Sequence, residues 1–530
     1  MAEQPEQAEA AYQKGNQYYD DNDYPKALAQ FLEAQALDNT NPLYPFDAGY
    51  MYKLTEQPEK AIACYETCLS MVDDDDRENQ VYVWQRLGKA WLDTDDKQKG
   101  IEYLSQTLDT FIELYGEQDE SIIQAHEDLG FAWRRISEYP KAIHHIEKAL
   151  ALNTALHGET HTDTAFYYRT MGETLFYWGD YTKALAYHEK ELAVKTKLYP
   201  EQSPEIALAL SKIGTCWWKL ADYHKAVGYH ENALAINLDA YDENHREVAS
   251  NWNNLGLCWR RLGDHTKAID YLEKALASDI ALYGEIHDSV AMIQSNLGVC
   301  WETVGDYHKA IEYHEQSLAA HLTLYGENNP DVARNWSNLG VAWGQLGEYQ
   351  KAVDYYQKAL ASNIQTYGTE IHPDIAVIQN NLGMAWDGLG EYDNAIDCHE
   401  KALQSDLQTY GDIHPDVAMN RKSLASVYYN LGKYSKALAQ QEQALAIDLE
   451  IYGNEHLTVA YDWHLLGRLW QAMEDYPKAI DYFKKALAVK TARQGIEHEN
   501  TQETQTLLDE AIAAQTKNKK NSLLGKWLKR

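Results

Sequence analysis

The chain is poor in phenylalanine, proline, cysteine and positive charge. Of 530 residues, 7 are Phe, 12 Pro, 6 Cys and 8 Met. There are 47 Lys+Arg against 81 Asp+Glu, a net charge of −34. Such a body repels nucleic acid and anionic membrane, so no nucleic-acid partner is expected. No apolar run reaches transmembrane length, and residues 1–10 are polar rather than a signal peptide. A cytoplasmic location is the expectation. Cys216, Cys258 and Cys300 recur at equivalent places one repeat apart, too far for a disulfide, and read as small buried residues. Cys64 and Cys68 share a helix face, but no further ligands lie near them, so no metal site is expected. No phosphate-binding glycine loop or nucleophile elbow occurs.

What the chain has is a ladder. Leu129-Gly130 precedes Trp133, Leu255-Gly256 precedes Trp259, Leu297-Gly298 precedes Trp301, and Leu339-Gly340 precedes Trp343. The ladder positions are Gly15, Gly49, Gly88, Gly130, Gly172, Gly214, Gly256, Gly298, Gly340, Gly383, Ala425 and Gly467, which makes twelve units. After two shorter steps the spacing is 42 residues, with a single 43 between Gly340 and Gly383. A fixed period of this size marks a solenoid whose units bury apolar surface only against their neighbours. The 39 Tyr and 15 Trp suit it, because in a thin array most large side chains keep one end near water.

Each unit reads as two helices. In 331–368, Trp336, Leu339, Gly340 and Trp343 form one buried stripe. Gly347 stops that helix, and Ala352, Tyr356 and Ala359 line the next. The expected fold is all-α, an α-α superhelix of about twelve helix-turn-helix repeats. Residues 8–80 hold two units of shorter period and 81–495 hold ten longer ones. Residues 496–516 form a capping helix with Leu507, Leu508 and Ile512 on one side, and 517–530 a basic tail.

Trp252-x2-Leu255-Gly256-x2-Trp259, then Ala268 and Ala275, resembles the tetratricopeptide repeat. The longer period, with loops such as Tyr410-Gly411-Asp412-Ile413-His414-Pro415, resembles the 42-residue repeats of the kinesin light chain group. Kinesin light chains also carry an N-terminal heptad coiled coil, which is not seen here, so a kinesin light chain itself is not expected. The resemblance implies a TPR solenoid that binds partners without catalysis.

No catalytic residue and no cofactor are expected. His188-Glu189, His230-Glu231, His314-Glu315 and His399-Glu400 look like half of a zinc-protease motif. The position four residues after each His is Leu, so the metal reading fails. These His stand where the repeat pattern has an aromatic ring. His161, His245, His287, His372, His414 and His456 recur in loops and are expected to make local hydrogen bonds at helix starts.

The face of the first helices opposite the Trp stripe gives three tracks, which the resemblance places on the concave surface. Asn254, Asn296, Asn338 and Asn381 stand two residues before the ladder position, and Asn253 and Asn380 three before it. Their amides can pair with the backbone of an extended peptide, or else bond to neighbouring helices. Leu257, Val299, Val341 and Met384 follow the ladder glycine and can line side-chain pockets, or pack between helices. Arg134, Arg135, Arg169, Lys212, Lys219, Arg260 and Arg261 form a basic track suited to acidic side chains or a carboxylate, or to internal ion pairs. The expected partner is therefore a protein or peptide, acidic where the basic track meets it. In the tail, Leu523, Leu524, Trp527 and Leu528 would share one helix face with Lys on the other. Membrane contact is expected only there, if anywhere. The alternative function is a regulatory or sensor subunit autoinhibited by that tail.

Overall fold

A computed structural model describes residues 3–527, with side chains described for 4–520. Among the described residues the regular structure is entirely helical: twenty-five helices, from Glu3–Asp20 to Glu499–Trp527. They alternate as first and second helix of each repeat. In the Gly340 repeat these are Pro330–Gln345 and Tyr349–Tyr367, and in the Gly383 repeat Pro373–Gly388 and Tyr392–Tyr410. The chain forms two compact units, 1–262 and 263–530, each a stack of antiparallel helix pairs with its core between them.

The ladder position works by closeness. A Cβ on Gly340 would lie 2.7 Å from the Tyr356 ring, and one on Gly298 2.4 Å from the His314 ring. Gly15 meets Phe31 and Gly467 meets Phe483 in the same way. The partner always lies sixteen residues on, in the second helix. His188, His230 and His399 are the corresponding rings against Gly172, Gly214 and Gly383. Burial holds His230 and His399 down to about 4, so both are neutral aromatic plates at physiological pH.

The ladder tryptophan fixes the turn. Lys225 Nζ lies 3.8 Å from the centre of the Trp217 ring, Lys309 3.8 Å from Trp301, and Lys478 3.7 Å from Trp470. Asp222, the N-cap of the second helix, accepts from Lys225 N at 3.2 Å, and Lys225 Nζ lies 2.9 Å from its carboxylate. One Asp-x-x-Lys segment thus caps the second helix and covers the tryptophan of the first.

The loop histidines do what was expected of them. His245, His372 and His414 each accept a backbone N–H two residues on through Nδ1, at 3.2–3.3 Å. Each ring also stacks on the tyrosine that ends the preceding helix: Tyr241–His245 at 3.6 Å, Tyr367–His372 at 3.7 Å and Tyr410–His414 at 3.9 Å. All six Cys are free thiols; five are buried and Cys64 is half-buried.

The last helix differs from its expected form. It runs from Glu499 to Trp527 as one element, and its packed side is Thr501, Thr504, Leu508 and Ala511. Leu508 and Ala511 close on Ala479 and Phe483 with Leu507 at the margin, whereas Ile512 faces outward. One of the three expected residues is thus replaced: Ala511, the position before Ile512, packs into the cluster instead. The side chains of Leu523, Leu524, Trp527 and Leu528 lie outside the described residues.

The close approach makes a specific prediction. Gly298→Ala must displace the His314 ring and is expected to cost about 1–3 kcal/mol. The double variant with His314→Ala should lose less than the sum of the two single changes, since the clash vanishes with the ring. Hydrogen exchange of residues 288–304 measures both, and additive losses would contradict the contact.

Candidate functional site

Because the Trp and ladder stripe of each first helix is consumed by its own second helix, the opposite stripe is what remains. In the second unit that stripe carries the amide and apolar tracks. Asn296, Asn338 and Asn381 are half-buried on helices Asp288–Val304, Pro330–Gln345 and Pro373–Gly388. Asn338 Nδ2 lies 3.4 Å from Ser295 Oγ of the preceding repeat. Among the described residues the side chains of Asn296 and Asn381 have no hydrogen-bond partner. Val299 and Val341 are half-buried, and Met384 is 58% exposed.

Beside Met384 lies a hollow of about 620 Å³, lined by Val341, Tyr349, Tyr356, Asn381, Met384 and Lys422 among others. Two glycines shape it. Gly344 has only Ala352 Cβ near, at 3.8 Å from where its own Cβ would be. At Gly388 a Cβ would meet the Tyr349 ring at 2.7 Å, so that ring lies flat across the helix and forms part of the wall.

Asn380 does not belong to this surface. It is 4% exposed, and its Oδ1 accepts from His399 Nδ1 at 2.9 Å. One step along a helix rotates a side chain by about 100°, which carries position 380 inward while 381 stays out. In the first unit, Asn253 is half-buried with Oδ1 enclosed and unpartnered. Asn254 and Leu257 line a small pocket of about 150 Å³ with Thr215, Trp218, Lys219 and His230.

The basic track divides into two groups. Arg134 and Lys212 share one carboxylate, lying 3.8 Å and 3.2 Å from the two oxygens of Glu173, and Arg135 pairs with Asp93 at 2.7 Å. These cations close internal pairs between neighbouring repeats. Three of the others lie on rings: Arg169 over Phe166 at 5.3 Å, Lys219 over Trp218 at 5.2 Å and Arg261 over Trp218 at 5.8 Å. Arg260 is half-buried. Tyr177 and Trp178, 66% and 48% exposed, stand on the neighbouring helix Thr162–Trp178.

Two sets of residues escaped the sequence reading. One is an exposed apolar row at Met292, Val377 and Met419, six residues before the ladder position in three repeats of the second unit. Arg334 holds that place in the Gly340 repeat and breaks the row in the sequence. The other is a set of buried polar pairs, fourteen residues apart, at four of the places where a second helix meets the next helix. Asn237 donates to Asn251 at 2.8 Å, Asn335 meets His321 at 2.8 Å, Asn420 donates to Asp406 at 2.6 Å, and Lys490 donates to Thr504 at 2.9 Å. Their period was readable, but the residue type changes at every step, so no motif repeats.

The family profile described as tetratricopeptide repeat matches residues 121–197, 205–281, 289–364, 374–450 and 419–492, and a second profile of the same description matches 46–71. No protein of curated function matches the chain. Among solved structures, BtubC (BKLC) from P. vanneervenii is 22% identical, with a TM-score of 0.39 over 44% of this chain and 92% of that one. A candidate kinesin light chain from Podosopora anserina, with nearly identical TPR-like repeats, is 20% identical, with a TM-score of 0.36 over 39% and 98%.

The two adjacent asparagines separate experimentally. Asn380→Ala leaves the buried His399 Nδ1–H without an acceptor and is expected to cost about 1–3 kcal/mol. Asn381→Ala should change stability by less than about 0.5 kcal/mol. Paired thermal melts check this, and equal losses would place both amides inside.

Proposed function

Because this chain belongs to the tetratricopeptide repeat family, a family of protein-interaction scaffolds, we propose that its second unit holds an extended partner segment on the exposed face of its first helices. The observation that carries this reading is the joining of unpaired amides to a hollow with an apolar wall at Val341, Tyr349 and Met384 and polar groups such as Asp387 and Ser426 opposite. Asn296 and Asn381 have donors and acceptors to offer, and Met384 stands 58% exposed at the rim of the 620 Å³ space beside Asn381. An extended backbone has polar groups on its edges and side chains on alternate faces. Amides at fixed intervals serve the former, and the hollow takes one large apolar side chain. Methionine adapts to varied shapes at such surfaces.

In the first unit, Arg169, Lys219 and Arg261 have no carboxylate partner among the described residues. They would receive acidic side chains of a partner, with the exposed Tyr177 and Trp178 beside them. Arg134, Arg135 and Lys212 serve the fold instead, and no catalytic role is assigned to any residue.

Selection from a random peptide library displayed against the full chain tests the reading. Peptides selected on the wild type should bind Met384→Glu at least about tenfold more weakly, as expected for loss of an apolar anchor. They should also lose affinity to Asn296→Ala/Asn381→Ala without a change in melting temperature. Undiminished binding to both variants would move the site elsewhere. Peptides that bind the first unit should weaken with added salt and fail on Lys219→Glu/Arg261→Glu.

A further inference from the structure

One seam in the second unit brings two buried carboxylates to one cation. The second helix of the Ala425 repeat, Tyr434–Tyr452, carries Asp448, and the next first helix, Leu457–Ala472, carries Asp462. Both carboxylates are sealed from solvent, at 2% and 0% exposure. Among the described residues a single cation reaches them. Lys422, from Pro415–Asn430, bonds Asp448 Oδ2 and lies 3.1 Å from Asp462 Oδ1. Gln441 Nε2 donates to that same Oδ1 at 3.0 Å. Asp462 Oδ2 is buried and receives no donor.

Two carboxylates against one ammonium leave a negative charge uncompensated in a dry place. Holding a proton costs less than burying that charge. A protonated Asp462 needs no donor at Oδ2, because it becomes a donor itself with Asp448 as acceptor. Burial first, then the neighbouring Asp448, outweigh Lys422 and push Asp462 up to about 7.

We propose that this seam stores one proton shared by Asp448 and Asp462, and that the Gly467 repeat loosens from its neighbour when the proton leaves. The groups that face the pair come from each packed helix. They are Lys422 on the first helix of the Ala425 repeat, and Asp448 with the neutral Gln441 on the second. From Tyr476–Gln494 comes Lys490, which lies over the Tyr461 ring at 4.4 Å and bonds Thr504 instead. In the same repeat the ladder glycine is Ala425 and its partner is Gln441 rather than a ring. Lys422 also lines the hollow beside Met384, so the device reaches the exposed face. It does not depend on that face binding a peptide.

The direction follows from linkage. In an opened seam Asp462 has the ordinary carboxyl value near 3.8, whereas the closed seam holds its proton to about 7. The closed form binds the extra proton between those values. Closure is thus fully favoured below about 4, weakens as pH rises, and levels off above about 7.

Hydrogen exchange of the full chain from pH 5 to 8 tests this, with residues 457–472 normalised to residues 330–345. The opening constant of 457–472 should rise by up to about tenfold per pH unit until about pH 7 and then flatten. Asp462→Asn, whose amide mimics the protonated acid, should show no slope and stay protected at pH 8. Lys422→Met removes the cation and should carry the slope to higher pH. A flat wild-type profile, or a slope that persists in Asp462→Asn, would overturn the proposal. If Asp462→Asn proves unfolded by circular dichroism, Lys422→Met decides, and an unshifted window rejects the shared proton.

Discussion

The contact on which the rest depends is the close approach between a bare Cα on the first helix of nearly every repeat and a side chain sixteen residues on, most often a ring, on the second. With no side chain at Gly172, Gly298 or Gly340, the ring of His188, His314 or Tyr356 presses onto helix backbone. That sets the distance between the two helices of a pair. The tryptophan three residues on is then at a fixed height, where the lysine of the next helix covers it. Tyrosine, histidine and phenylalanine all serve in this place, as do Leu104 and Ile146, because what matters is a side chain that fills the space against the backbone.

Contacts between repeats obey a different rule. Inside a pair the packing is mostly apolar, with a buried polar contact such as His399–Asn380 or His314–Glu302 in some repeats. Across four of the seams one buried polar side chain meets another, fourteen residues along, and the chemistry varies: amide to amide, imidazole to amide, carboxyl to amide, ammonium to hydroxyl. A buried polar group must find its partner or bear the cost of desolvation, so such pairs hold the register of neighbouring repeats more strictly than a greasy surface does. Their variety also makes the seams unequal. A carboxylate seam answers to protons where an amide seam does not.

The exposed face is a consequence of this economy. Since one stripe of each first helix goes to its own partner and the flanks go to neighbours, the remaining stripe is free to vary. In the first unit it carries cations, aromatic rings and a shared Glu173. In the second it carries amides, methionines and a hollow. Ion pairs such as Arg135–Asp93 show that part of this stripe also ties adjacent repeats together.

The period, the two helices per unit, the glycine stops and the inward ring at His188 or His399 were determined by the sequence itself, because each rests on contacts within about forty residues. The loop histidines at helix starts were legible for the same reason. Tertiary structure alone decided which face residues are occupied. Asn380 and Asn381 are neighbours with the same side chain, yet the ring of His399 claims one and leaves the other. Arg134 and Arg169 hold similar places, yet only Arg134 meets Glu173. The meeting of Lys422, Asp448 and Asp462 was invisible in the sequence because it joins three helices across a seam. A local pattern encodes where a side chain points; whether anything waits there depends on the neighbour that packing brings.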